Sequence, residues 1–311
     1  MSRIYEALQK AESEKKVERQ PGEPRPVAEQ QGDVPATTTL PYDNPPAFAE
    51  VAVDESMPVT GFGGNLNLGA IASQPWNPAI DRLPALLERG PAVEQFRSLR
   101  SRVYEARDIR PIKSILVSSG LPQEGKSFVS ANLAVSLARH KSSKVLLIDG
   151  DMRRYTLHEL LGTESHPGLA EYLAGKASAE QVMQRMTESA EPTSVNHILS
   201  NLTFIPGGNG GDKAADLSGN PRFGELLRLA APSFDWIIID SSPVVPVSDG
   251  VNLARSCDGV LLVARAGVTK YAVAQRAASE LRSANVLGFV LNALVENPQT
   301  SSYYGYNSNK E

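Results

Sequence analysis

The chain has 311 residues, a formal net charge of −4 and 41% hydrophobic residues, an ordinary composition with ample sequence to bury a core. Net negative charge argues against nucleic acid as the principal partner, because neutralising a phosphate backbone takes an excess of Lys and Arg. No apolar run approaches the roughly 20 residues that cross a bilayer, the N-terminus MSRIYEALQKAESEKK lacks the apolar stretch of a secretory signal, and the one cysteine, Cys257, leaves no disulfide framework. Together these predict a cytoplasmic protein.

Residues 1–19 read as a short polar helix, with Ile4, Leu8 and Ala11 at helical spacing. Twelve of the 22 prolines fall between Pro21 and Pro91, so residues 20–90 read as a Pro-rich disordered linker with too little apolar surface to offset backbone ordering. Order is expected to resume at Pro91, a suitable first-turn proline for a helix carrying Val93, Phe96, Leu99 and Val103 on one face.

Beyond that helix, short runs rich in β-branched residues recur: Ile115–Val117, Val145–Ile148, Trp236–Ile239, Val260–Val263 and Val286–Leu291, with a further strand suggested over Asn201–Pro206. Helical stretches at 127–140, 222–231, 247–256 and 271–284 separate them, and LHELLG and GLAEYLAGK add shorter helical pieces within 156–200. Continuous apolar strands alternating with helices predict an α/β domain over 91–298, a mostly parallel sheet flanked by helices. Residues 299–311 read as a flexible tail bearing Tyr303, Tyr304 and Tyr306.

Directly after the first strand comes Gly120-Leu-Pro-Gln-Glu-Gly125-Lys126-Ser127, which satisfies the P-loop pattern and opens a helix. Glycines let the backbone N–H groups curl toward phosphate, and the helix N-terminus adds its positive dipole end. The nucleotide site therefore comprises Gly120, Gln123, Glu124, Gly125, Lys126, Ser127 and Phe128, with Lys126 reaching the β- and γ-phosphates and Ser127 ligating Mg²⁺. The next strand ends in Asp149-Gly-Asp151-Met-Arg153 and a later one in Asp240. Carboxylates at strand ends face the crevice where parallel sheets bind ligands, suited to holding Mg²⁺ (Ser127, Asp149, Asp151, Asp240) or accepting a proton from a hydroxyl.

A P-loop, then Asp-x-Asp-x-Arg, then Asp-x-x-Pro resembles the bacterial tyrosine kinases (BY-kinases), the autokinases of capsular and exopolysaccharide biosynthesis, and the similarity runs from about Pro91 to the C-terminus. The resemblance implies an ATP- and Mg²⁺-dependent protein-tyrosine kinase with a P-loop NTPase-like fold. Its catalytic residues would be Lys126, Asp149, Asp151 and Arg153, and Tyr303, Tyr304 and Tyr306 would be phosphorylated in trans. Asp149 is the candidate base, with Asp151 and Asp240 favouring the metal and its waters; the sequence leaves that division open. Glu94-x-x-Arg97-x-x-Arg100 is similar to the family's oligomerisation motif and implies a ring. The family also implies a separate membrane-bound chain-length determinant as activator, recruiting the kinase to the inner face of the membrane, and an opposing protein-tyrosine phosphatase.

Three positions depart from the family pattern. Gln123 stands at a glycine position of the P-loop, Ser242 where proline is usual, and Tyr155 where proline is common. The competing classes are a partition- or division-site P-loop ATPase, whose extra lysine is matched here by Leu121, and a nucleotide-binding scaffold, against which the intact Lys126, Ser127, Asp149, Asp151 and Asp240 speak.

Overall fold

The computed structural model describes residues 66–187 and 193–294. Its elements in chain order are β1 (Ala72–Gln74), α1 (Pro91–Ile109), β2 (Ser114–Ser119), α2 (Lys126–Ala138), β3 (Val145–Asp149), α3 (Leu157–Leu161), α4 (Leu169–Leu173), α5 (Ala179–Val182) and β4 (Gln184–Met186). There follow α6 (Ser194–Ser200), β5 (Leu202–Ile205), α7 (Ala214–Ser218), α8 (Arg222–Ala230), β6 (Trp236–Asp240), α9 (Asp249–Ala254), β7 (Gly259–Arg265), α10 (Tyr271–Glu280) and β8 (Val286–Asn292).

The strands form one sheet in the order β1-β4-β5-β3-β6-β2-β7-β8. From β5 to β8 every neighbouring pair is parallel; β4 is antiparallel to β5, and β1 runs with β4. Every residue of β2, β3, β5 and β6 is buried, which explains their unbroken apolar sequence: helices cover both faces. Alternation along each strand divides the core in two. Ile115, Val117, Val145, Leu147 and Ile238 join Phe96 and Val103 of α1 and Leu133 and Leu137 of α2. Leu116, Leu146, Ile148, Ile237 and Ile239 join Phe223 and Leu226 of α8 and Leu253 of α9.

The chain leaves β2 for β3 on one side of β6, and leaves β6 for β7 on the other side of β2. Crossovers that diverge in this way open a crevice at the carboxyl ends of the central strands. Register brings those ends level, with Asp149 opposite Asp240 and Asp240 opposite Val117.

The linker expectation does not hold over residues 66–90. Leu66, Ile71, Trp76, Leu83, Ala85 and Leu86 are buried, and Trp76 meets Phe204 edge-on with ring centroids 6.4 Å apart. Side chains from α2 secure the segment: Asn132 accepts the Ala85 N–H through Oδ1 at 3.0 Å and donates to Arg82 O at 3.2 Å. Arg139, just past α2, donates to Ala85 O at 2.6 Å and Leu87 O at 3.0 Å. A few large apolar side chains, spaced among prolines, order a stretch whose average composition reads as a linker. β4 is likewise an addition, lying where the sequence suggested only helical fragments.

The predicted helix over 1–19, the rest of the linker and the tyrosine tail lie outside the described residues. Among the described residues no helix is long and apolar enough to cross a membrane.

Candidate active site

The segment Gly120–Ser127 connects β2 to α2, and Lys126 is the first residue of that helix. Gly125 caps the helix in the left-handed region at φ +94°, and Gln123 sits there as well, at φ +64°. A side chain in that region costs about 1 kcal/mol, the physical reason for a glycine at the Gln123 position. Lys126 Nζ lies 2.9 Å from Asp151 Oδ2 and 3.4 Å from Ser127 Oγ. Burial alone would lower the lysine's pKa, but the charges of Asp240, Asp151 and Asp149 outweigh it and raise the pKa, so the ammonium is retained.

Asp149, at the end of β3, has no exposed surface. Its Oδ1 accepts the Asp151 N–H at 3.2 Å and its Oδ2 the Leu157 N–H at 3.1 Å, which folds residues 150–157 over the strand end. Burial, reinforced by the Asp240 charge, holds its pKa well above the usual carboxylate range. Gly150 donates its N–H to Asp240 O at 2.9 Å, and a Cβ there would stand 2.5 Å from that oxygen, so only glycine lets β3 and β6 end this close together.

Asp240 is 1% exposed, and neither carboxylate oxygen has a hydrogen-bond partner. Burial raises its pKa, while Lys126 and the nearby Ser127 and Ser130 hydroxyls pull it down without cancelling the rise. Three carboxylates thus gather around one ammonium. Among the described residues no group of three or more His, Cys, Asp or Glu side chains forms a ready metal cage. Mg²⁺ keeps waters and phosphate oxygens and takes only one or two carboxylates from a protein. An unpartnered, buried Asp240 beside the Ser127 hydroxyl fits that ion.

The other predicted site residues are placed less uniformly. Arg153 bonds Asp249, in the first turn of α9, with Nε 2.6 Å from Oδ2, and so faces a neighbouring carboxylate. Phe128 turns its ring to Phe96, centroids 5.7 Å apart, and packs, partly buried, against the core beside α1. Glu94 and Arg97 form an exposed 2.6 Å ion pair on α1, and both arginines also donate to backbone within the chain, Arg97 to Glu88 O at 3.0 Å and Arg100 to Ser136 O at 2.8 Å. Asp249, Thr269 and Asn292 were not among the predicted residues. The last two touch the P-loop from 145 and 168 positions away, a proximity no local pattern signals.

No family model matches the chain. It is 34% identical over 234 residues to EpsB of Ralstonia solanacearum, covering 71% of this chain and 30% of EpsB. It therefore spans under a third of that relative's length. To the tyrosine-protein kinase YwqD of Bacillus subtilis it is 32% identical over 220 residues, covering 70% of this chain and 87% of YwqD. The solved kinase domain of the Escherichia coli tyrosine kinase ETK superposes with a TM-score of 0.63 at 28% identity, over 76% of this chain and 94% of that domain. With a P-loop, two acidic strand ends and a near full-length match to YwqD, the chain belongs to the bacterial tyrosine-protein kinase family.

Proposed function

We propose that the chain is an ATP-dependent protein-tyrosine kinase that phosphorylates tyrosines of its own C-terminal segment, Tyr303, Tyr304 and Tyr306, and thereby regulates exopolysaccharide or capsule synthesis. The observation that carries this reading is the buried group of Lys126, Asp149, Asp151 and Asp240 at the mouth of the P-loop. Leu121, at the position of the partition-type lysine, speaks against that alternative.

Lys126 is paired with Asp151, and a nucleotide's β- and γ-phosphates are a denser anion than one carboxylate. Lys126 therefore turns to the phosphates when ATP binds and frees Asp151. Ser127 and Asp240 would hold Mg²⁺, which supplies charge neutralisation at the phosphate oxygens. A tyrosine hydroxyl, with a pKa near 10, must lose its proton as its oxygen takes the γ-phosphoryl group and the bond to the β-phosphate oxygen breaks. Asp149 takes that proton. Burial and Asp240 make it more basic than an ordinary carboxylate, and the two amides that hold it occupy only one lone pair on each oxygen. Arg153 acts through Asp249, tying the loop after β3 to α9.

In a ring, the surface ion pair of Glu94 and Arg97 would face a neighbouring protomer, and one chain's tyrosines would reach the next chain's site. A separate membrane-bound activator, recruitment to the inner membrane face and an opposing phosphatase complete the reading, on the strength of the family resemblance. Phosphotyrosine formation in Asp149→Asn tests the chemistry. The variant is expected to bind nucleotide but lose transfer by a factor of about 10² or more, and undiminished transfer excludes Asp149 as the base.

A further inference from the structure

Glu124 places a carboxylate inside a loop built to receive a polyanion, yet it is only 4% exposed and both its oxygens are engaged. Oε2 accepts the Leu121 N–H at 2.8 Å, and Oε1 accepts the Thr269 hydroxyl. Thr269 is itself fixed to the end of β7: its Oγ1 accepts the Arg265 N–H at 2.8 Å and its N–H donates to Arg265 O at 2.9 Å. A second brace comes from β8. Asn292 Nδ2 donates to Glu124 O at 3.0 Å and stands so close that a Cβ on Gly125 would lie 1.9 Å from it. Asn292 is in turn locked to β7, its carbonyl accepting the Ala266 N–H at 2.9 Å.

We propose that Thr269 and Asn292 are positioning residues that hold the P-loop in its phosphate-accepting shape before nucleotide arrives and keep the Glu124 carboxylate off the amides that phosphate must use. A carboxylate is a competent acceptor for N–H groups at a helix N-terminus, so a released Glu124 competes with the phosphates for residues 125–127. The proposal deepens the nucleotide-site reading of Gly120–Ser127 and rests on it.

The test is titration of the full chain with a fluorescent ATP analogue and Mg²⁺, beside steady-state kinetics and the thermal midpoint. Thr269→Val and Asn292→Ala are each expected to weaken binding roughly tenfold, and Thr269→Ser to return affinity to within about twofold of wild type. KM for ATP should rise with kcat changed much less, because the braces act on the loop and not on the transferred group. If wild type fails to bind the analogue, the nucleotide-site reading itself falls. If wild type binds and both variants bind equally well, or Ser does not rescue Val, the positioning role is overturned. Should Thr269→Val fail to fold, Asn292→Ala decides alone.

Discussion

At the scale of single residues, Asp240 sets stability against use. Its carboxylate is desolvated, and that burial outweighs the pull of Lys126 and the Ser127 and Ser130 hydroxyls, so the fold favours the protonated form and its pKa is raised above the unfolded value. The sign follows from linkage: the cost of holding it ionised is absent below the ordinary carboxylate pKa and complete above the raised one. Asp240→Asn should therefore raise the unfolding midpoint of the nucleotide-free protein at neutral pH, lose that advantage below about pH 4, and weaken Mg²⁺-dependent nucleotide binding. Calorimetry across pH checks the first two, and a midpoint lowered by the substitution at neutral pH would contradict them. Such a trade is expected where a group is kept for chemistry at the expense of the fold.

At the scale of elements, legibility followed the source of order. The buried parallel strands announce themselves as continuous apolar runs because both faces are covered, and α1 as a proline-opened amphipathic helix. β1 and β4 are three residues each with polar character, and depend on each other and on β5 for pairing, so no local pattern marks them. Residues 66–90 carry no local signal for a related reason: their order comes from separate anchors, above all Trp76, Leu83 and Leu86, inserted into a core made elsewhere in the chain. Leu83→Ala should cost about 2–5 kcal/mol in chemical denaturation, the range for a fully buried leucine. A loss below about 0.5 kcal/mol, the level of a neutral surface change, would return this stretch to linker status. In the site, contiguous motifs were readable, whereas Asp249, Thr269 and Asn292 reach it only through tertiary structure.

At the scale of the whole molecule, the proposed kinase needs its neighbours. Of the predicted oligomerisation residues, Arg100 donates to Ser136 O and Arg97 to Glu88 O within the chain, while the Glu94–Arg97 ion pair lies at the surface. Arg97→Glu places two like charges three residues apart on α1 and removes the one cation of that pair. Light scattering should show a smaller assembly than wild type, with the fold intact by circular dichroism; an unchanged mass would reject this face of α1 as the interface. Phosphorylation adds about −1.5 to −2 charges per tyrosine, so in the proposed ring a modified tail should be repelled by the neighbour's carboxylates and the assembly should loosen.

The central claim, that Lys126 and the surrounding carboxylates transfer phosphate to the chain's own tail, is tested most directly by mass-spectrometric mapping of phosphotyrosine after incubation with ATP and Mg²⁺, wild type beside Lys126→Met. Phosphate on one or more of Tyr303, Tyr304 and Tyr306 in wild type, absent from the variant, is the predicted result. Wild type without phosphate on any of them, or a variant labelled as fully as wild type, would contradict it.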